Sequence, residues 1–481
     1  MLLTKVFAEF VAESPVCVMY RGLVEHVFSA SRLDALFEKT AQRQYCSELL
    51  FSTCTDLLSL VVLGAQKSLH SAYVRQQDKV GVSVKAVYDK LAGIETNVSE
   101  VLVRDTATDL AAVIEQLGPP PASLLPVYEV RIVDGNHLPA THHRLKELRQ
   151  AGAAPLPGHA AAIWNPQLGL IEDVLLCEDG HASERTLLPR LLEKVRPGQC
   201  WIEDRNYCTV AFLRGIDERN AHFVVRHHAR LSGTPVGRRK KVGRVDSGIA
   251  HEQAYELPTP EGGVWTIRRI TIVLDEPTRD GDGEVHLLTN LPAKVSAQCV
   301  AQLYQNRWQI EAAFRELATT LRSEINSLGY PPAALFGFCL AVAVYNIMNT
   351  LRAALQIADA ASSGKPKKAP PADSSQEPAH KRKEPSRRFS PYYLAEEISG
   401  VYRGMMIAID GKHWTAAFGQ LDSRQMAHIL LGLAKRVRLS SFYANSYDPR
   451  HREPKKKLQR RKKGSHVSTH KLLLERRKTT A

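Results

Sequence analysis

The sequence predicts an α/β protein with a mixed β-sheet in the middle of the chain and helical regions on either side of it. The first observation is the helical texture of residues 1–120, which contain no alternating run of strand type. The second is the element order that follows the Gly-Pro-Pro-Pro break at 118–121, namely three strands, helix, strand, helix, strand. The third is a stretch rich in turns and charge at about 229–284, which predicts a β-rich insertion.

Helical periodicity accounts for the N-terminal region. A clear example is 84–91, which begins after Ser83, a residue type that caps helix N-termini. This helix leaves Lys85 and Lys90 outside its apolar side. A helical cap on the next domain and a DNA-contacting domain would both show this pattern, so periodicity leaves the role of the region open.

Short strands and helices alternate after the break. Residues 127–133 alternate in the manner of a strand and end at Asp134-Gly135, and residues 200–204 form a short apolar strand that ends at Asp204. A strand at 285–291 then returns the chain from the insertion to the core sheet. The other predicted elements are a hairpin of 160–164 with 169–177, helices at 183–195 and 211–220, and a strand at 222–225.

These patterns divide the chain of 481 residues into segments, in keeping with two or three domains for this length. A Pro, Ser and Lys-rich composition predicts a flexible linker, and a run of basic residues predicts a tail. The predicted segments are a helical N-terminal domain at 1–120, an α/β domain at 121–351 with its insertion at about 229–284, a linker at 362–391, a small helical module at 392–448 and a basic tail at 449–481.

Positive charge is concentrated near the C-terminus. The formal net charge is +14, yet residues 450–481 hold thirteen Lys or Arg against two Glu, and residues 364–390 hold eight against three acids. The remainder is therefore close to neutral. Basic segments of this kind are typical of chains that bind the phosphates of nucleic acid.

Cysteine usage and hydropathy indicate a reducing, aqueous compartment. The eight cysteines form no CxxC pair and several lie in apolar runs, so we expect free thiols. The apolar run 335–345 follows two prolines and is short for a membrane span, which favours a buried core helix and no membrane partner. Glu9 and Glu13 interrupt the first apolar stretch, which argues against a signal peptide. We expect a cytoplasmic protein.

Two stripes of side chains run along a predicted helix at 304–324. One stripe is apolar and is expected to face a core, whereas the other places one carboxylate among guanidinium groups and a phenol. A Glu with an Arg four residues away is often only a surface ion pair, and that interpretation stays open here. The apolar stripe is Ile310, Phe314, Leu317 and Leu321, and the charged stripe is Tyr304, Arg307, Glu311, Arg315 and Arg322.

The charged stripe carries a family resemblance. Tyr304, Arg307 and Glu311 fit the pattern Tyr-x2-Arg-x3-Glu, and with them the chain resembles the DDE transposases of bacterial insertion sequences, in the insertion-sequence-four family, whose signature is Tyr-x2-Arg-x3-Glu-x6-Lys. Ala318 stands where this signature has Lys. We interpret Arg315 and Arg322, one turn before and one turn after, as replacement cations, and all four residues Tyr304, Arg307, Arg315 and Arg322 as DNA contacts.

The resemblance covers roughly residues 120–351 and implies an RNase H-like sheet. In that family the Glu of the signature is the third metal-binding carboxylate, and a β-rich insertion lies between the second and third acids. The family resemblance also implies that the N-terminal helical domain binds the transposon end and that the protein is a homodimer on two ends. It implies a bacterial, nucleoid-associated protein.

Asp134 and Asp204 are the other candidate acids, because strands that neighbour each other in a sheet bring their C-terminal ends together. Three carboxylates that lie so close together repel one another unless a cation neutralises them, and carboxylate oxygens are suitable ligands for Mg²⁺ or Mn²⁺. Two such ions activate a water or 3′-hydroxyl and stabilise the leaving oxygen in phosphodiester chemistry. We expect Asp134 to bind both ions and Asp204 and Glu311 one each, with Tyr304 and Arg307 on a phosphate.

Simpler interpretations of the aspartates remain open, since Asp before Gly is typical of a turn and Asp204 fits a helix cap. We predict a transposase that binds the inverted-repeat ends of its element, cuts beside them with Mg²⁺ and joins the 3′ ends to target DNA. One alternative, motivated by Ala318, is a catalytically impaired derivative that only binds DNA. Another is a metal-dependent nuclease that cuts without strand transfer.

Overall fold

The computed structural model describes residues 4–44, 48–119, 123–149, 152–259, 262–278, 281–362, 388–444 and 465–480. Most of the predicted linker at 362–391 and the stretch 445–464, which includes much of the predicted basic tail, lie outside the described residues.

The N-terminal region is helical, as its periodicity predicts. Ser83 caps its helix as expected, because its side chain accepts a hydrogen bond from the backbone N–H of Ala86. The helices in the described part of this region are α1 (Ala8–Glu13), α2 (Pro15–Phe28), α3 (Ala30–Thr40), α4 (Phe51–Val62), α5 (Leu69–Val80), α6 (Val84–Gly93) and α7 (Thr96–Leu117).

Nine strands of the described residues form one mixed sheet in the order β4-β3-β1-β5-β6-β10-β9-β8-β7. Strands β1, β5 and β6 run parallel at its centre, and the other pairings are antiparallel. The strands of this sheet are β1 (Glu129–His137), β3 (His159–Asn165), β4 (Leu170–Cys177), β5 (Gln199–Glu203), β6 (His222–Arg226), β7 (Thr234–Val245), β8 (Gly248–Pro258), β9 (Val264–Leu274) and β10 (Glu284–Thr289), and β2 (Ala154–Leu156) lies outside it.

The predicted β-rich insertion extends this sheet. Strands β7, β8 and β9 form an antiparallel meander that pairs through β9 with β10, and β10 pairs with β6 of the core. The residues at about 229–284 therefore continue the core sheet at one edge, because β10 offers its free side to β9.

Helices cover both faces of the sheet. On one face Phe212 and Leu191 pack against Trp201 and Phe223 of the strands. On the other face the long helix at Pro331–Ser362 and α7 contact β4. The helices of this part are α8 (Leu188–Leu192), α9 (Val210–Asp217), α10 (Ala297–Gln305), α11 (Trp308–Thr319) and α12 (Pro331–Ser362).

The region predicted as a small C-terminal module is helical and packs on the N-terminal helices. Its helices are α13 (Pro391–Ala408), α14 (Gly411–Phe418) and α15 (Ser423–Ala434). Phe418 lies against Gly22 of α2, where an added Cβ would come within 2.5 Å of the ring. Thr415 donates a hydrogen bond of 2.7 Å to Glu25 of α2. These helices thus share one hydrophobic core with the N-terminal region and α12.

The last described residues return to the α/β part of the chain. Strand β11 (His466–Ser468) pairs in parallel with β2, and α16 (Thr469–Thr480) follows it. This part of the predicted basic tail is therefore docked on the protein.

Helix α12 is long and apolar enough to span a membrane, but 94% of its most apolar window is buried inside the protein. This burial matches the prediction of a core helix, and such a helix is weak evidence for a membrane span. All seven cysteines among the described residues are free thiols, as expected, and Cys46 lies outside them.

Candidate active site

Asp134 and Asp204 lie on neighbouring parallel strands. Val133 of β1 is in register with Glu203 of β5, so the two aspartates follow at the same level of the sheet, where adjacent strands are roughly 4.8 Å apart. Burial raises the pKa of Asp134, and the charge of Asp204 on the neighbouring strand adds to this rise. The structure thus brings together two acids that are 70 positions apart in the sequence.

The strand that carries Asp134 is longer than its alternation predicts. It extends to His137 because Asp134, Gly135, Asn136 and His137 pair with β3 after the pairing with β5 has ended. Asp134 therefore lies inside a strand, and the turn interpretation of Asp-Gly is wrong here. The cap interpretation of Asp204 also fails, since its side chain makes no cap hydrogen bond to the short helical turn that follows.

Arg307 links the first and third acids. Its Nη1 donates to Oδ2 of Asp134 at 2.8 Å, and its Nη2 donates to Oε1 of Glu311 at 2.8 Å. Glu311 reaches this point because α11 packs against β1. The charge of Asp204 also acts on the Arg307 guanidinium. One guanidinium therefore pairs with two carboxylates that are far apart in the sequence, and Asp204 acts on it only through its charge.

The guanidinium is held on its other side by aromatic rings. Its central carbon lies 5.8 Å from the centre of the Tyr304 ring and 5.4 Å from that of Trp308. The Arg307 side chain is 9% exposed, and Trp308 is an exposed ring at 62%. Cation–π contact and burial together make Arg307 a well-fixed element of the site, while Trp308 presents an aromatic face to solvent.

Burial dominates the electrostatics of the acids. Desolvation raises the pKa of Asp134 to about 6, even though Arg307 and the backbone N–H of Gly135 act in the opposite direction. Desolvation likewise raises the pKa of Tyr304 to about 12, so this phenol is neutral near pH 7. An added cation beside Asp134 would favour its carboxylate form.

The arrangement suits a cation but is not assembled as a metal-ligand cluster. Within the described residues, no three His, Cys, Asp or Glu side chains lie close enough together to hold one ion. The donor set itself fits a hard divalent cation, because all three candidate ligands are carboxylates and the space between two of them already holds the positive charge of Arg307.

The helix that carries Glu311 is shorter than predicted. The predicted helix at 304–324 is divided into α10 and α11 by a turn at 306–307, and α11 ends at Thr319. Its apolar side behaves as expected at Ile310, Leu317 and Leu321, which are buried.

Arg315 and Arg322 do not join the carboxylates in the way that the stripe predicts. Arg315 is exposed on α11 without an ion pair among the described residues. Arg322 lies beyond the helix in a left-handed backbone conformation, with φ of 43°, and its guanidinium packs over Gly64. Because the helix ends before Arg322, this residue is not one turn further along the same face. Their role as DNA contacts stays a prediction.

A second carboxylate network beside Asp134 was missed by the sequence interpretation. Glu184 lies 3.3 Å from Nε2 of His137 and accepts a hydrogen bond of 3.2 Å from the side-chain amide of Asn206. A Cβ added at Gly135 would come within 2.3 Å of a Glu184 oxygen. Glu184 therefore ties the strand of Asp134 to the turn after Asp204, and Gly135 leaves room for it. The glycine at 135 was the one feature of the sequence that could have indicated a close neighbour at this strand.

Comparisons with known proteins point to one kind of protein. Residues 125–347 match the family model described as the transposase DDE domain, and this range contains all three acids. The chain is 31% identical over 140 residues to y4zB of Sinorhizobium fredii (strain NBRC 101917 / NGR234), a match that covers 27% of this chain and 35% of that protein. It is 25% identical over 195 residues to a protein of the insertion sequence element IS5377 from Geobacillus stearothermophilus, covering 39% of this chain and 47% of the relative. Both relatives are provisionally named as transposases.

Among solved structures, the chain resembles one in the cryo-EM structure of the piggyBac transposase synaptic complex with hairpin DNA, with a TM-score of 0.39 and 8% sequence identity over 84% of each chain. The matches to the two sequence relatives span less than half of their lengths. The domain model and these relatives support a transposase of the DDE type.

Proposed function

We propose that this chain, a transposase of the DDE type, binds the terminal inverted repeats of an insertion sequence and catalyses metal-dependent cleavage and strand transfer of DNA. The observation that carries the proposal is the convergence of Asp134 and Glu311 on one guanidinium, with Asp204 at the same level of the neighbouring strand. Two carboxylates on one mostly buried guanidinium, with a third acid on the neighbouring strand, concentrate more negative charge than a single ion pair, so this grouping favours a functional site.

The finer assignment follows from the same residues. The Tyr304, Arg307 and Glu311 spacing supports membership of the insertion-sequence-four family. The central parallel strands and the antiparallel β1–β3–β4 hairpin support an RNase H-like core within the mixed sheet.

The acids are proposed to hold two Mg²⁺ or Mn²⁺ ions. Asp134, Asp204 and Glu311 are the ligands in this proposal, and the ions supply activation of a water or 3′-hydroxyl and stabilisation of the leaving oxygen. The protein's own residues prepare this site. Arg307 holds Asp134 and Glu311 in position through two charge-assisted hydrogen bonds, and its planar fork matches a DNA phosphate equally well. The neutral Tyr304 ring makes a cation–π contact with the guanidinium.

The partners follow from charge and from the resemblance. Basic residues outside the α/β part supply phosphate affinity that does not depend on base sequence and that falls with salt. The N-terminal helices are proposed to bind the transposon end, and two copies are proposed to bridge two ends. A cytoplasmic, nucleoid-associated protein is consistent with its free thiols.

An assay with labelled element ends, Mg²⁺ and a plasmid target tests the function. Joined products support the proposal, whereas cuts without joining indicate a nuclease. Glu311→Gln is expected to abolish cutting, with end binding nearly unchanged, because it removes one charge without changing the size of the side chain. The matched control is Glu324→Gln, an exposed carboxylate in the same segment, which should keep full activity.

Two outcomes contradict this reasoning. Loss of end binding together with cutting would make Glu311 a structural residue. Cutting that survives Glu311→Gln would remove this carboxylate from the chemistry altogether.

A catalytically impaired DNA-binding derivative is a second candidate function. Ala318, where the resembled signature has Lys, is the observation that favours it, and neither Arg315 nor Arg322 takes the place of a cation beside the acids. Bound but uncut ends in the same assay would support this candidate. Ala318→Lys should then restore cutting if the missing cation is the cause.

A further inference from the structure

The C-terminal segment, residues 465–480, returns to the edge of the sheet that carries the candidate acids. Register places His137 of β1 opposite His159 of β3, and His159 opposite Cys177 of β4, so these strand ends lie side by side. Glu178 and Asp179 directly follow Cys177 in the sequence, and their side chains contact His470 and Lys471 of the segment. The segment is therefore docked at the end of the sheet where β1 passes Asp134 and ends at His137.

Charge complementarity holds the segment there. His470 lies 3.1 Å from Glu178, Lys471 lies 3.1 Å from Asp179, and Arg476 lies 3.5 Å from Glu147. Each contact places a basic side chain of the segment on an acid of the α/β part. Lys471 and Arg476, two of the positive groups of the predicted basic tail, are thus engaged by carboxylates of the same chain.

The docking is shallow. Strand β11 pairs with β2 over His466–Ser468, and the carbonyl of Ser465 accepts a hydrogen bond from the backbone N–H of Ala154 at 2.9 Å. Among the residues of the segment whose exposure is described, only Ser468 and Thr469 are buried. The ion pairs are open to solvent, since the side chains of Lys471 and Arg476 are 55% and 51% exposed. Exposed ion pairs contribute little and are screened by salt, so a row of DNA phosphates competes with them effectively.

We propose that residues 465–480 form a self-masked DNA-binding strap, in which Glu147, Glu178 and Asp179 pair with the basic side chains of the strap until DNA phosphates displace these carboxylates. This inference rests on the proposed function, because it takes DNA to be the competing ligand. In the docked state Lys471 and Arg476 are paired with carboxylates and add nothing to non-specific DNA affinity. In the released state Lys471 and Arg476 are available to a duplex.

The test separates undocking from loss of charge. Thr469→Trp places a large side chain at a fully buried position and should release the strap without changing any charge. Leu474→Trp is the matched control, since Leu474 is exposed at 43% on the same helix. A third protein ends at residue 464 and lacks the strap. Hydrogen exchange of residues 465–480 reports docking, and binding of a random-sequence duplex at several salt concentrations reports release.

Thr469→Trp is expected to lose exchange protection and to bind the duplex several-fold more tightly. The slope of log K for DNA binding against log salt concentration should be steeper by about 2. Two more cations contact phosphates, and each contact contributes about 0.9 to this slope. The control and the truncated protein should both bind like the wild type. Glu147→Gln with Glu178→Gln gives a second route to release that leaves Asp179 and its turn unchanged.

Several results would overturn the strap. Unchanged affinity of a released Thr469→Trp protein would show that its cations do not serve DNA. Weaker binding by the truncated protein would show that the docked segment already contacts DNA. Full exchange protection in both release variants would show a contact too firm for phosphate to displace. None of these readouts uses cleavage, so an inactive enzyme and a wrong strap are told apart.

Discussion

Replacing Arg307 by Gln tests whether a single cation holds the acids together. The variant leaves Asp134 and Glu311, which are 17% and 32% exposed, without their common partner. Removing one member of a buried ion pair costs about 3–5 kcal/mol, and the partial exposure of both carboxylates lowers our expectation to about 2–3 kcal/mol. The loss should appear in urea unfolding followed by tryptophan fluorescence in metal-free buffer.

Added Mg²⁺ provides the decisive comparison. If a divalent cation takes a position among the same acids, Mg²⁺ should stabilise Arg307→Gln more than it stabilises the wild type, because the variant has no competing guanidinium. Arg315→Gln is the control on the same helix. This side chain is exposed and has no described ion pair, so its effect should stay within about 0.5 kcal/mol. Equal stability of Arg307→Gln and wild type without metal, or an equal response to Mg²⁺, would refute the reasoning.

Two further predictions concern the strand of Asp134. Because burial raises the pKa of Asp134 from 3.8 to about 6, the folded protein binds this proton more tightly than the unfolded chain, and stability falls as pH rises between these values. Asp134→Asn should therefore gain up to about 3 kcal/mol relative to wild type between about pH 4 and pH 7 in metal-free urea unfolding, and a pH-independent difference would contradict this. Gly135→Ala should cost about 1–3 kcal/mol by displacing the Glu184 carboxylate, whereas the same change in a Glu184→Ala background should cost almost nothing. Equal costs in both backgrounds would show that Glu184 is not the obstacle.

The strand and helix types were predictable where one periodicity dominates. Residues 169–177 have the apolar run typical of a strand and residues 84–91 have the periodicity of a helix, and the structure places β4 and α6 there. The residues at which strands and helices end were harder to predict from the sequence. Strand β1 continues past Asp134 only because β3 lies beside it, and no local pattern contains that partner.

The candidate site likewise has a part that the sequence predicts and a part that it does not. Spacing links Tyr304, Arg307 and Glu311, since residues three and four apart share a face of a predicted helix. The structure keeps them close although a turn at 306–307 divides that helix. The contact of Arg307 with Asp134, 173 positions away, depends on how α11 packs on the sheet. The contact of the Glu184 carboxylate with the strand at Gly135 was equally unpredictable from the sequence, because Glu184 lies in a helical turn far from Gly135 along the chain.

By itself, the sequence determined the kinds of elements, the free thiols, the clustered positive charge and the three acids worth testing, because these depend on composition and on distances of a few residues. Only the tertiary structure decided that a guanidinium lies between two of the acids, that the β-rich insertion lengthens the core sheet and that the end of the basic tail is docked on β2. Each of these is a contact between segments far apart in the chain. Such contacts are set by which surfaces bury each other on folding, and local periodicity carries no record of them.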